Sequence, residues 1–187
     1  FNKSPMFKCE KKSLSKSLRE NKFGIIGEYK RKSPSNPNIN LKSDVEKIAK
    51  GYEKAGCSGI SVLTNEKFFG GSVNDLSIVK SSCHLPILRK EFIVDIYQIY
   101  ESKAIGSDAI LLIASCLKKE ELKSFSKIAN ELGLEVLVEV HSAEELDKIP
   151  AKNVNIIGVN NRNLKDFSVS IENSIKISNY IPKNICK

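Results

Sequence analysis

The sequence predicts an α/β protein built as a closed barrel of parallel strands, in which each strand is followed by a helix. Three observations support this prediction. Short runs rich in leucine and β-branched residues alternate with longer amphipathic segments. The runs are apolar along almost their whole length, as expected of strands buried on both faces of a parallel sheet. The turn after the first run, Glu28-Tyr-Lys-Arg-Lys-Ser-Pro-Ser35, lacks the glycines of an open dinucleotide-binding sheet.

Six apolar runs are expected to form the strands. They are Ile25–Tyr29, Ile60–Leu63, Ile87–Arg89, Ala109–Ile113, Val136–Val140 and Ile156–Val159. The complete architecture of this kind, the (β/α)8 TIM-type barrel, has eight such units. We therefore expect about six of the eight βα units in a single, incomplete domain over residues 1–187. Residues 1–12 are expected to be a poorly ordered N-terminal stub.

The segments between the runs have helical periodicity and helix-ending residues. Asp44–Ala55, Asp95–Ile105 and Lys118–Leu132 are each followed by a glycine, which is a common helix stop. Ser142-Ala-Glu-Glu145 fits a capping box in front of a short helix. A last helix is expected over Ile171–Tyr180.

The composition suits one globular domain, with 41% hydrophobic and 28% charged residues among 187. No apolar run is long enough to span a membrane, and the first residues show no sign of a secretory signal, so a cytoplasmic protein is expected. The first 50 residues hold 13 of the 30 Lys and Arg but only 5 of the 22 Asp and Glu. Because these charges form no RNA-binding signature, we expect a solvated surface and no nucleic-acid site.

The cysteines and histidines do not form the spacings of a disulfide framework or a metal site. The five cysteines are Cys9, Cys57, Cys83, Cys116 and Cys186, without a C-x-x-C pair. The two histidines, His84 and His141, lie far apart in the sequence. We therefore expect reduced thiols and no bound metal.

Polar and charged residues stand where four of the expected strands end, which is the face of a β/α barrel that carries the active site. They are Glu28 and Lys30 after the first strand, Lys90 after the third, Glu139 within the fifth, and Asn160 and Arg162 after the sixth. Burying a lone charge costs several kcal/mol, so these groups should pair with one another or bind a ligand. The set predicts a proton-transfer site with an anion-binding side. No nucleophile–histidine pair accompanies it, so covalent acyl chemistry is not expected.

Five segments resemble indole-3-glycerol-phosphate synthase in order and spacing, over a stretch that begins at about Ser13. They are Ile25-Ile-Gly-Glu-Tyr-Lys-Arg-Lys-Ser-Pro-Ser35, Ser61-Val-Leu-Thr-Asn-Glu-Lys-Phe-Phe-Gly-Gly71, Pro86-Ile-Leu-Arg-Lys-Glu-Phe92, Asp95-Ile-Tyr-Gln-Ile-Tyr-Glu101 and Ile157-Gly-Val-Asn-Asn-Arg-Asn-Leu164. Gly27 stands where the family usually has alanine, and Tyr29 where it has an aliphatic residue. Packing beside the first strand is therefore expected to differ from that of the family.

The resemblance implies a carboxy-lyase of tryptophan biosynthesis that uses no cofactor. Such an enzyme converts 1-(2-carboxyphenylamino)-1-deoxyribulose 5-phosphate to indole-3-glycerol phosphate, with loss of carbon dioxide and water. The resemblance implies that Lys90 is the general acid and Glu139 the base. Lys30 would contact anionic groups and share acid duty, and Glu28 would hold the lysines and engage the substrate's hydroxyls.

The resemblance also implies substrate-binding roles. Asn160 and Arg162 would orient the substrate, with the guanidinium gripping a carboxylate. Phe92 and Leu164 would contact the aromatic ring, and Ser33 would join the phosphate site. For Ser33, Phe92 and Leu164, turn capping and simple packing stay open as alternatives. The implied partner is a small phosphorylated substrate, and fusion to or association with other enzymes of the pathway stays open.

Members of this family carry an N-terminal helical extension and two further strands, which hold most of the phosphate site and one more catalytic glutamate. Our hypothesis is that the chain is an incomplete copy of a longer protein, with little activity alone. Two other functions stay open. One is a different phosphate-binding barrel enzyme, such as a phosphoribosylanthranilate isomerase, which needs a cysteine/aspartate pair at strand ends. The other is a non-catalytic product, either an inactive fragment or a basic binding module.

Overall fold

The computed structural model describes residues 1, 3–162 and 168–187. Its strands are β1 (Ile26–Tyr29), β2 (Gly59–Leu63), β3 (Ile87–Lys90), β4 (Ala109–Ile113), β5 (Glu135–Val140) and β6 (Ile156–Val159). They form one sheet in the order β1-β2-β3-β4-β5-β6, and every neighbouring pair is parallel. A doubly wound sheet reverses its strand order, whereas this order follows the chain throughout. The predicted β/α barrel wall is confirmed.

Helices separate the strands and cover the outside of the sheet. They are α1 (Pro5–Lys8), α2 (Leu14–Glu20), α3 (Val45–Lys54), α4 (Glu66–Phe69), α5 (Val73–Ser82), α6 (Ile96–Ala104), α7 (Lys119–Glu131) and α8 (Ile171–Ser178), with 3-10 turns at Glu144–Lys148 and Ala151–Asn153. Helix α6 shows how the sequence sets the limits. The side chains of Asp95 and Gln98 cap its start reciprocally, and Gly106 follows its end with a φ of 97°.

The capping box predicted at Ser142–Glu145 is wrong. The 3-10 turn there begins after Ala143, which makes no side-chain capping contact. The Glu145 carboxylate accepts a hydrogen bond of 2.8 Å from the backbone N–H of His141, one residue before the predicted cap. Glu145 therefore fastens the end of β5 instead of starting a helix.

Two apolar layers hold the sheet. Outside it, residues such as Ile60, Ile110 and Leu122 are fully buried between strands and helices. Inside it, Leu88, Leu111, Leu137 and Ile156 pack together with Leu14 of α2. Helix α2 thus closes the end of the barrel opposite the carboxyl ends of the strands. A Cβ atom at Gly59 would collide with the Leu14 side chain, so this close approach requires glycine in β2.

On the outer face of β1, Gly27 and Tyr29 pack against neighbouring elements, while a difference from the family's packing stays a prediction. A Cβ atom at Gly27 would lie 2.6 Å from ring atoms of Tyr52 on α3. The Tyr52 hydroxyl donates a 2.9 Å hydrogen bond to the backbone oxygen of Glu28. Tyr29 is 3% exposed, and its hydroxyl donates to the backbone oxygen of Ser43 at 3.2 Å. The Tyr52 ring therefore packs against β1 at Gly27, and the Tyr29 side chain is buried beside Ser43.

The first residues and the last residues of the described chain both contact the barrel. Ser4, which caps α1, donates a 2.7 Å hydrogen bond from Oγ to the backbone oxygen of Ala104 at the end of α6. Poor ordering of residues 1–12 stays a prediction. After α8, Cys186 forms a parallel bridge with Ile156 at the edge of β6. Within the described ranges, no helix is long and apolar enough to cross a membrane.

Candidate active site

A cavity of about 520 Å³ opens at the carboxyl ends of the strands. It is lined by eight of the predicted site residues, namely Glu28, Lys30, Ser33, Lys90, Phe92, Glu139, Asn160 and Arg162. The ninth predicted residue, Leu164, lies outside the described residues. One cavity thus brings together the side chains predicted from strand ends and, for Ser33 and Phe92, from the family resemblance, while their roles stay predictions.

Glu28 lies between two ammonium groups. One carboxylate oxygen accepts a hydrogen bond from Lys30 Nζ at 2.5 Å, and the other accepts one from Lys90 Nζ at 2.8 Å. Burial by itself would raise the pKa of Glu28, but attraction to Lys90 and the hydrogen bonds from both lysines outweigh it. The pKa of Glu28 therefore lies below its ordinary value, and near neutral pH the carboxylate is ionised.

Strand register explains why Glu28 and Lys90 meet. In β2, Ser61 stands beside Glu28 and Leu63 stands beside Lys90. Side chains two positions apart share a face, so all four residues point into the barrel. The small side chain of Ser61 leaves the space across which the carboxylate and the ammonium approach each other.

Glu139 forms a second polar group on β5. Its Oε1 atom accepts a 3.0 Å hydrogen bond from Asn160 Nδ2, and the ring Nε2 of His141 lies 3.7 Å from the same oxygen. Asn160 is itself oriented, because its Oδ1 accepts a 2.9 Å hydrogen bond from the backbone N–H of Arg162. The carboxylate of Glu139 is thus held in place with its other oxygen free of contacts from Asn160.

The loop after β1 forms one side of the cavity mouth. The Ser33 hydroxyl oxygen accepts a 3.1 Å hydrogen bond from the backbone N–H of Asn36, which is a turn-capping contact. Arg162 Nη1 donates to Ser35 Oγ at 3.2 Å and so links this loop to the one after β6. At the base of the loop, Arg31 donates two hydrogen bonds, of 2.6 and 2.8 Å, to Asp75 on α5. That pair fastens the β1 loop to the neighbouring βα unit.

Apolar side chains line the rest of the cavity, and one of them was missed in the sequence. Phe69 of α4 lies in the wall together with Phe92, and the two rings stack with centroids 6.3 Å apart and an interplanar angle of 27°. The signal was the pair Phe68-Phe69 before two glycines, inside a segment already singled out. Phe92 is 39% exposed, so its ring has an open face.

Ionisable and apolar lining residues come from different strands. Among the described residues, β1, β3 and β5 contribute Glu28, Lys90 and Glu139 to the cavity. Strands β2 and β4 contribute only Leu63, and Leu111 with Ile113. Barrel interiors are built in layers from alternate strands, so this division follows from the fold.

The arrangement is suited to acid–base chemistry on an anionic molecule. Two ammonium groups and a guanidinium can bind anionic oxygens, and a carboxylate on the opposite strand can accept a proton. The aromatic wall adds an apolar surface for a ring. In the described part of the chain, no cluster of three or more His, Cys, Asp or Glu side chains is placed to hold a metal ion.

Comparison with known proteins gives one consistent result. The sequence model of the family described as "Indole-3-glycerol phosphate synthase" matches residues 2–187. A relative of that name from Bacteroides thetaiotaomicron is 46% identical over 173 residues, which cover 92% of this chain and 66% of the relative. One from Caldanaerobacter subterraneus subsp. tengcongensis is 48% identical over 168 residues, which cover 90% of this chain and 65% of the relative. One from Acetivibrio thermocellus is 49% identical over 162 residues, covering 87% and 62%. The chain spans about two thirds of the length of these curated relatives.

Proposed function

The chain belongs to the indole-3-glycerol phosphate synthase family, and we propose that it performs the ring closure of that family as part of a complete barrel. The reaction converts 1-(2-carboxyphenylamino)-1-deoxyribulose 5-phosphate to indole-3-glycerol phosphate, carbon dioxide and water. One observation carries the proposal. An ion group made of Glu28, Lys30 and Lys90 shares a single cavity with the oriented carboxylate of Glu139.

Lys90 acts in this proposal as the general acid. Its ammonium donates a proton to the substrate's carbonyl oxygen while the ring carbon attacks the carbonyl carbon, and the resulting adduct loses carbon dioxide. The Glu28 carboxylate orients the ammonium of Lys90, since the two groups are hydrogen-bonded at 2.8 Å. Lys30 donates a hydrogen bond to the other oxygen of Glu28. It attracts the substrate's anionic groups and serves as a second acid.

Glu139 acts as the base in the later steps. The new hydroxyl leaves as water with a proton from Lys30, because Lys90 has already given its proton to the carbonyl oxygen. Glu139 takes up the proton lost as the indole ring becomes aromatic. Asn160 holds one oxygen of Glu139 through its amide, which fixes the direction of the other oxygen. The two lysines give two protons and Glu139 recovers one, so each turnover takes up one proton from water as the substrate carboxylate leaves as carbon dioxide. The reaction needs no oxidant or reductant.

Binding roles are proposed for the remaining residues. Arg162 grips the substrate carboxylate with its planar guanidinium, and Asn160 orients the reacting atoms. Phe92 contacts the aromatic ring, and we add Phe69 because it stacks against Phe92 in the same wall. Ser33 is proposed for the phosphate end, where its backbone turn presents it at the cavity mouth.

An isomerase that uses a cysteine/aspartate pair is less well supported. Cys116 lines the cavity from the loop after β4, but no aspartate is among the described residues that line it. The acid–base pair that such an isomerase needs at its strand ends is therefore not assembled in the described part of the site. A small phosphorylated substrate is common to both readings.

An assay for indole-3-glycerol phosphate tests the proposal. It compares the printed chain with an extended form, in which Lys187 is joined to the two C-terminal βα units of the Bacteroides thetaiotaomicron relative. We expect turnover in the extended form and little in the printed chain, because the family's phosphate site lies largely in those units. A folded extended form that makes no product would refute the proposal.

We also propose a cytoplasmic location, where amino-acid biosynthesis has its substrates. Fractionation of the source cells tests it, and recovery of the protein in the membrane fraction speaks against it. Association with other enzymes of the pathway is a further proposal, which co-purification from the same extract tests. Its failure leaves the proposed reaction untouched.

A further inference from the structure

We propose that His141 is a proton relay, which carries the proton taken up by Glu139 away from the active site to Glu145. This inference rests on the proposed function, because it supposes that Glu139 accepts a proton from the substrate. It concerns a residue that the sequence analysis had set aside, since the two histidines have no metal-ligand spacing.

The imidazole of His141 lies between two carboxylates. Its Nε2 atom is 3.7 Å from Glu139 Oε1, and its Nδ1 atom is 3.8 Å from Glu145 Oε2. The two ring nitrogens therefore face different carboxylates, one inside the active site and one outside it. An imidazole can accept a proton at one nitrogen while it releases another from the opposite nitrogen, so this order of groups suits a relay.

The ring is buried but makes no hydrogen bond of its own. The two nitrogen atoms of the ring are buried, and neither has a hydrogen-bond partner within the described residues. The backbone of His141 is fixed, because its N–H donates to Glu145 at 2.8 Å and its carbonyl oxygen accepts from Asn173 at 3.0 Å. A buried donor without a partner costs about 1–3 kcal/mol. A small rotation of the ring that shortens either N···O distance by about 0.5–1 Å forms a hydrogen bond. The ring can therefore alternate between the two carboxylates.

A second cavity gives the relay an outlet. It has a volume of about 570 Å³ and lies beside the first one, with Asn160 and Arg162 in the wall between them. His141 and Glu145 line this second cavity. Charged groups of both signs face the same space, namely Arg162 after β6 and Glu172 and Lys176 on α8. Water in such a polar space can take the proton from Glu145.

The transfer balances without any other reactant. The protonated carboxyl of Glu139 gives its proton to Nε2 of His141, and Nδ1–H gives its proton to the carboxylate of Glu145. Glu139 returns to the carboxylate form, and Glu145 releases one proton to water. The imidazole ends in the opposite tautomer. It resets when Nε2 releases its proton and Nδ1 takes one up, both by exchange with water that reaches the rotating ring from the second cavity, so the net transfer is one proton from Glu139 to that water. No electrons are transferred to or from the protein.

Substitutions in the extended form test the relay by kinetics. His141→Gln keeps a hydrogen-bonding side chain that cannot pass a proton, and His141→Ala removes the ring. We expect kcat to fall about tenfold in both variants, with KM within about twofold of the parent. This loss of kcat is smaller than the roughly 100-fold or greater loss expected when the proton-transferring group itself is removed. Added imidazole should restore part of the kcat of His141→Ala. The matched control is His84→Ala, since the His84 side chain is 96% exposed and should give unchanged kinetics.

Either of two kinetic results would overturn the relay. One is a kcat for His141→Gln within twofold of the parent, because a hydrogen bond alone would then suffice. The other is a folded His141→Ala variant whose lost activity imidazole does not restore. An extended parent form without any turnover would instead count against the proposed function.

A spectroscopic measurement tests the contacts without activity. The chain has two histidines, so its imidazole Cε1–H NMR signals are two and His84→Ala assigns them. We expect Glu139→Gln and Glu145→Gln each to shift the His141 signal and to leave the His84 signal in place. A His141 signal that neither substitution moves overturns the inference whatever the assay shows.

Discussion

The carboxylate of Glu28 on β1 accepts a 2.8 Å hydrogen bond from the ammonium of Lys90 on β3, across the intervening strand β2. The same carboxylate also accepts from Lys30, so two cations share one anion. This pairing keeps the three ionised groups together on the floor of the cavity. Because it lowers the pKa of Glu28, the pairing also makes the stability of the fold depend on pH.

Acid should weaken the fold partly through Glu28. Burial opposes its ionisation, but Lys90 and Lys30 lower the pKa of Glu28 below the ordinary value of 4.5. The unfolded chain therefore takes up this proton first, and the stabilisation present above pH 4.5 is lost as pH falls through the lower folded value. In urea unfolding of the printed chain at several pH values, Glu28→Gln should show a shallower loss of stability in this range. The exposed Glu131 serves as control, and a Glu28→Gln curve parallel to that of the parent would contradict the prediction.

The proton-handling roles predict large kinetic losses in the extended form. Lys90→Ala removes the proposed general acid and should abolish measurable turnover, and Glu139→Gln should lower kcat by roughly 100- to 10,000-fold. Lys127→Ala is a suitable control, because that side chain is 70% exposed on α7. A fully active Lys90→Ala enzyme would show that the acid is another group.

Packing beside β1 predicts opposite effects for two glycines. Gly27→Ala forces the Tyr52 ring to move and should lower the free energy of unfolding by about 1–3 kcal/mol. Gly51→Ala, on α3, meets no atom within 4 Å and should raise it by roughly 0.5–1 kcal/mol. Chemical denaturation of the two variants and of Gly27→Ala/Tyr52→Leu measures this. In the double variant, we expect Gly27→Ala to cost less than it does alone.

The Arg31–Asp75 pair should matter more to stability than an exposed pair of the same kind. The Asp75 side chain is 4% exposed and that of Arg31 is 22% exposed. Asp75→Ala leaves the guanidinium partly buried without its partner, so we expect a loss of about 2–3 kcal/mol, the lower end for buried pairs. Glu46→Ala breaks the exposed pair with Lys50 and should cost no more than about 0.5 kcal/mol. Equal losses in the two variants would show that the Arg31 contact adds nothing.

The sequence predicted the strands closely because their signal is local. Each of the six runs overlaps the observed strand with limits that agree to within one residue, as Ile60–Leu63 does with Gly59–Leu63. Helices α1, α2, α4 and α5 were not predicted individually. Helix α5 contains Ser, Asn and Asp, and it buries Asp75 because Arg31, far away in the chain, pairs with it. A contact of that range leaves no trace in the local pattern.

The candidate site was predicted in part for the same reason. Alternation in a strand places Glu28 and Lys30 on one face, but the bond from Lys90 to Glu28 depends on how three strands are aligned. His141 was passed over because its neighbours are carboxylates from a strand and from a turn rather than residues at a recognisable spacing. The failed capping box has the same origin, since Glu145 contacts the strand end.

The separation of ionisable and apolar lining residues between alternate strands bears on which molecules the barrel accepts. The side chains of Leu63, Leu111 and Ile113 line the cavity and take no part in the hydrogen bonds of Glu28 or Glu139. Substitutions in β2 and β4 can therefore enlarge or reshape the cavity while Glu28, Lys90 and Glu139 keep their positions. A change of these apolar side chains alone can alter the shape of molecule that the cavity accepts, while its ionisable groups stay the same.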